Sequence, residues 1–171
     1  SSNVIAKNIR TLLTNPMIDE FLSLARAHND AWASVLLDEL RHICPDQLPE
    51  TWSVTIGDSD AQAVTETIRR GDDVLIRHLT LSHTNRDENL PLIILYHRNK
   101  QGAFCIPEPD TKISIGDQLL FTGTAPARFN VQWNLQNLVA LSYVKTGTPE
   151  PQTWVGKKLL PKLPVFRATR P

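Results

Sequence analysis

The sequence predicts an α+β fold: a helical N-terminal segment, then a small, mainly antiparallel β-sheet with packed helices. Three observations carry this. Up to Ile43 the apolar residues recur at helical spacing, whereas after Pro49 they alternate with a period of two. LPLIILYHR, residues 90–98, is a strongly apolar run of strand length. Gly116-Asp117 stands between ISI and LLF, where a glycine followed by a short acid suits a tight corner between extended segments.

The elements follow in order. Val4, Ile5, Ile9, Leu12 and Leu13 predict a first helix. Asn15-Pro16 stops it and starts the next, since asparagine caps helices and proline fits the first helical position. Ile18, Phe21, Leu22, Leu24 and Ala25 form that helix's apolar face, with Asp19 and Glu20 at its positive end. Asp30 is the expected cap of a third helix carrying Trp32, Val35, Leu36, Leu37, Leu40 and Ile43. Beyond Pro49, Trp52, Val54 and Ile56 alternate as a half-buried strand. Asp58 to Asp60 are expected to cap a short helix, AQAVTETIRR, ended by Gly71. Residues 74–82 read as extended, 83–89 as a polar turn and 90–98 as a strand. KQG turns into AFCIP, and TKISI and QLLFTG read as strands around the Gly116-Asp117 corner. A helix is expected from Pro126–Ala127, then an extended VALSYV, then an irregular tail with Trp154 docked. The organisation predicted is 1–50 helical crossover and dimerisation segment, 51–146 sheet domain, and 147–171 tail.

The 171 residues carry no formal net charge. Nucleic-acid binders use basic surface to displace counterions, so no nucleic-acid partner is expected. The two cysteines, Cys44 and Cys105, lack metal-ligand or CxxC spacing and read as reduced, buried thiols. No apolar run reaches the roughly 20 residues of a membrane helix. None of His28, His42, His78, His83 and His97 has a second ligand at metal spacing. No nucleophile elbow, phosphate loop or dinucleotide fingerprint occurs. We therefore assign no catalytic residue and no metal site from the residues, which leave any cofactor unknown. An acid–base enzyme using His78, His83 and Asp87 is the weakest alternative, since it needs all three in one cleft. Arg77, Arg98 and Lys100, on or beside extended segments, are the candidate ligand-binding residues: arginine presents a planar fork and lysine a point charge to an anion. Gly116 and Asp117 are structural turn residues. The glycine is expected to sit where a Cβ clashes, and its replacement to cost more than that of Asp117.

IPEPDTKISIGDQLLFTGT resembles the closing strands of the TrkA-C domain, the C-terminal lobe of the RCK fold that regulates potassium conductance. Pro107, Asp110, Thr111, Ile115, Gly116, Asp117, Leu119, Leu120 and Gly123 occupy the pattern's positions. LPLIILYHRNKQGAF is similar to the strand, basic turn and strand expected upstream, and the likeness covers about 51–146. Residues 15–45 look like the helical crossover that follows an RCK nucleotide-fold lobe. The chain lacks pore helices, a TVGYG filter and the nucleotide-fold lobe, and the family's ligand residues do not carry over. The resemblance implies a regulatory, ligand-sensing and dimerising domain of a potassium channel or uptake system. It also implies a place on the cytoplasmic side of the inner membrane, a transmembrane pore partner in the full-length protein, and a nucleotide or cation ligand between paired lobes. A purely structural assembly module is the alternative.

Overall fold

The computed structural model describes residues 15–148. The helix expected over 4–14 and the docked Trp154 lie outside the described residues. The fold is α+β: the described residues form six helices and a four-stranded antiparallel sheet of order β1-β4-β2-β3.

Helix α1, Pro16–Ala25, begins with proline at the position where its missing N–H is no loss. Helix α2, Asp30–Ile43, is capped by Asn29, whose Oδ1 accepts from Trp32 N at 2.9 Å; the expected cap, Asp30, is instead the first helical residue. Strand β1, Glu50–Thr55, pairs antiparallel with β4, Gln118–Gly123, at the register Trp52↔Phe121 and Val54↔Leu119. Strand β2, Leu92–Asn99, lies between β4 and β3, Gly102–Cys105. A register shift between Ile94 and Tyr96 interrupts its pairing with β4.

The strands' period of two sends alternate side chains to two cores. Trp52, Val54, Leu92, Ile94, Leu119 and Phe121 face the larger one. There they meet α3, Gln62–Arg69, α5, Ala125–Gln136, and α6, Leu138–Thr146. Trp52 and Phe121 stack across β1 and β4 with ring centres 5.4 Å apart. Ile93, Leu95, Tyr96 and Leu120 face the opposite way, against Met17 and Phe21 of α1 and half-buried residues of α2. Burying Met17 and Phe21 is worth about 1.5–3 kcal/mol each, which attaches the helical segment by its apolar face.

Four local expectations are corrected. Residues 74–82 are not a strand: Ile76–Thr80 form a short helix, α4, because Ile76 and Leu79, three apart, are both buried. TKISI is not a strand either; a single bridge, Leu75↔Lys112, ties it to the start of α4. VALSYV is helical. Asn137 Oδ1 accepts from Ala140 N at the start of α6, Gly147 ends it with φ +80°, and Ala140, Leu141 and Val144 are its buried face. Asp58 and Asp60 do not cap α3. Asp58 pairs with Arg69 at 2.7 and 2.9 Å, and Asp60 Oδ2 accepts from Thr55 N at 3.1 Å.

Candidate functional site

The Gly116-Asp117 corner is where the sequence's turn chemistry becomes a site. Gly116 has φ +95°, a conformation side chains resist, and its N–H donates to Ile56 O at 2.7 Å. No atom lies within 4 Å of where its Cβ would stand, so the glycine serves backbone conformation and not the avoidance of a clash. The corner turns Asp117 inward. Its carboxylate is almost wholly buried, accepts from Ser114 N at 2.9 Å, and lies 2.8 Å from Nε2 of the fully buried His97. His97 Nδ1 is buried and has no hydrogen-bond partner.

His97 also lines a groove of about 430 Å³ beside β3, which ends the sheet. Phe104, the cross-strand neighbour of His97, Ile106 and Pro107 give apolar walls, while Asn99 and Thr111 add polar groups. Phe104 is 47% exposed. Ile106 has φ +46°, which is strained for a β-branched residue; its N–H is held by Leu95 O at 3.0 Å. Backbone strain of this kind concentrates at ligand clamps and switches. The residues lining the groove, all among the described ones, include Glu108 but no arginine or lysine.

The three basic candidates are not brought together. Lys100 stands exposed in the β2–β3 turn, between two groove residues, Asn99 and Gln101. Arg98 points to the other face of β2. It donates to Gln118 Oε1 at 3.0 Å and to Tyr96 Oη at 3.1 Å, and is ion-paired with Glu20 of α1. Hydrogen bonds from Tyr96 and Arg98 hold the Glu20 carboxyl below the usual carboxylate range. Arg77, on α4, is ion-paired with Asp110 beside a second groove, of about 270 Å³, that Ile106 and Pro107 also line.

Among the described residues His78, His83 and Asp87 share no hydrogen bond. His78 is buried, and its Nδ1 accepts from Leu75 N at 2.9 Å. Burial, helped by the charges of Lys145, Arg77 and Arg86, pushes its pKa down to about 4. His83 rests against Trp133 with ring centres 6.4 Å apart, and Asp87 is exposed. Cys44 is buried, Cys105 is half-buried, and both are free thiols. Among the described residues no three His, Cys, Asp or Glu side chains converge to hold a metal ion, and no helix is long and apolar enough to cross a membrane.

Sequence reasoning missed the His97–Asp117 pair because the partners lie 20 residues apart. They meet through the register of β2 on β4, and no local spacing announces that.

No family model matches the chain, and no curated protein matches it. Among solved structures, the chain is similar to S. agalactiae BusR, determined in complex with its busAB-promotor DNA, at 16% identity and a TM-score of 0.28. The likeness covers 81% of this chain and 57% of that one, so the chain spans little more than half the length of its structural neighbour.

Proposed function

We propose that the chain is a regulatory domain of a potassium channel or potassium-uptake system, on the cytoplasmic side of the inner membrane. In this reading it pairs with a second copy, and a ligand in the β3 groove changes that pairing. The potassium assignment rests on the TrkA-C-like pattern from Pro107 to Gly123. The observation that carries the sensing assignment is the groove, with strained Ile106 on its wall and the unpartnered Nδ1 of buried His97 beneath it.

The mechanism is a shift between two arrangements of paired domains. A ligand moves that equilibrium only by as much as it binds one arrangement better than the other. The change would reach a transmembrane pore part through the helical segment that precedes the sheet. Nucleotides and cations are the ligand classes to examine, with Lys100 the basic group beside the groove; Arg77, at the second groove, and Arg98, on the other face, are tested alongside it. No nucleic-acid partner is proposed.

A second reading, an assembly module without ligand, draws support from α2. Val35 is 66% exposed and Leu37 50% exposed, two apolar side chains that a second copy could cover. The two readings separate in a thermal-shift screen of the full chain against nucleosides, nucleotides, cyclic dinucleotides and divalent cations. A compound that raises Tm in the wild type, and not in Phe104→Ala, supports sensing. A chain that forms dimers and responds to none of them is an assembly module.

A further inference from the structure

We infer that residues 96–98 of β2 are a two-faced lever that couples the groove to the docking of the N-terminal helices on the sheet. The first observation is how those helices are held. Among the described residues, the hydrogen bonds that join α1 or α2 to the sheet all end on one side chain, Glu20. It accepts from Tyr96 Oη and from Arg98. Everything else across that face is apolar contact through Met17, Phe21 and their neighbours, which is non-directional and tolerates sliding. Glu20 is therefore a single polar clasp.

The second observation is what stands between the two halves of the clasp. His97 lies between Tyr96 and Arg98 in sequence and points to the opposite face, where it lines the groove and meets Asp117. The same crossing recurs where the chain enters β4. Asp117 holds His97 on the groove face, and Gln118, the next residue, holds Arg98 on the helix face. Two adjacent residues of β2 thus bind Asp117, which immediately precedes β4, and Gln118, the first residue of β4, once on each face of the sheet. A strand carries its neighbours with it, because consecutive side chains share one backbone and stand about 3.3 Å apart along it. His97 is fully buried and tied to Asp117, so a shift of its ring pulls on the main chain of β2. The register shift between Ile94 and Tyr96 supplies the compliance: β2 is irregular immediately before the lever, so 96–98 can tilt without breaking the pairing of the whole strand.

The consequence is a defined route. A change at His97 or Asp117 alters the aim of Tyr96 and Arg98, opens the Glu20 clasp, and loosens α1. The physiological use of this lever rests on the proposal that the groove takes a ligand. The lever itself is tested without one.

The experiment is hydrogen exchange on the full chain, comparing wild type with His97→Gln, Asp117→Asn, Glu20→Gln and the two double variants that combine Glu20→Gln with a groove-side change. Two groove-side variants are used because either may fold poorly. Exchange is read over residues 16–25, and over α3 and α5, which pack on the other face. The expected result is at least a fivefold rise in exchange over 16–25 in each groove-side variant that folds, and in Glu20→Gln. Over α3 and α5 the change should stay within twofold. Adding Glu20→Gln to a groove-side change should give no further rise, because the clasp is already open. Three results overturn the lever: unchanged exchange over 16–25 in the groove-side variants, a parallel rise over α3 and α5, or effects of the single variants that multiply in the double. Since no ligand is used, such a failure leaves the sensing proposal standing, and a failed ligand screen leaves the lever standing.

Discussion

Replacing Asp117 by alanine should destabilise the protein more than replacing Gly116 by valine, the reverse of the order expected from the sequence. Asp117 is 2% exposed as a residue, and its carboxylate answers two donors, Nε2 of the fully buried His97 at 2.8 Å and Ser114 N, on an exposed residue, at 2.9 Å. Alanine removes both acceptors and leaves the donors in place. Leaving the buried His97 donor without a partner costs about 1–3 kcal/mol, and the Ser114 N–H loses its acceptor in addition. His97 already has one unpartnered nitrogen, so the change leaves its whole ring without a hydrogen bond. At Gly116 the space is open and the penalty is conformational, from forcing a β-branched residue to φ +95°; that costs about 1–3 kcal/mol. Urea denaturation followed by tryptophan fluorescence measures both, because Trp52 is buried against Phe121 and reports core opening. A loss below about 1 kcal/mol for Asp117→Ala, or a larger loss for Gly116→Val, would refute the reasoning.

Further outcomes follow from other sites. Gly123→Ala should cost at least as much as Gly116→Val, because a Cβ there would lie 2.6 Å from Pro91 O and 2.7 Å from Leu92 Cβ, and backbone must shift; the same urea titration checks it. His78 makes stability fall in mild acid. Unfolded, it takes up a proton near 6.5; folded, only near 4, so the unfolded chain binds more protons between those values. Its contribution is complete above pH 6.5, shrinks as pH falls and is gone below pH 4. His78→Gln, which keeps an acceptor for Leu75 N, should flatten that slope in denaturation curves taken from pH 7 to pH 4. Glu20→Gln should lower global stability by under about 1 kcal/mol, since both Glu20 and Arg98 side chains are about 40% exposed and solvent screens their attraction; a thermal melt measures this.

Much of the fold is legible because burial has a simple period there. Trp52, Val54 and Ile56 alternate with polar residues, and all three are buried. Residues 90–98 are too apolar for a surface segment and form the strand nearest the sheet's middle beside β4. Gly116 takes the positive φ that a Gly-Asp corner implies. The misread segments are those where tertiary packing overrides local preference. VALSYV is rich in strand-forming residues, yet Asn137 and Gly147 cap it as a helix, and its buried face fits α3 and α5. Val74, Ile76 and Leu79 suit a strand or a helical turn equally, and the backbone bonds of Ile76 and Arg77 to Thr111 O and Pro109 O settle it. The candidate site was legible at Gly116-Asp117 and not at His97. A histidine in an apolar strand shows neither its partner nor its face until the bulge at 94–96 and the pairing with β4 are known. Within one chain the basic trio is dispersed for the same reason. Arg98 and His97 are neighbours in sequence and point to opposite faces of the sheet, so the arginine fork answers Glu20 and leaves the groove without it.

The most direct test of the account is sedimentation velocity on the full chain, with and without each compound that raises its Tm. The account predicts that at least one compound shifts the balance between single and paired chains by fivefold or more, and that Phe104→Ala removes the shift while leaving the fold intact. A chain that binds no compound, or binds one with no change in its association, would contradict it.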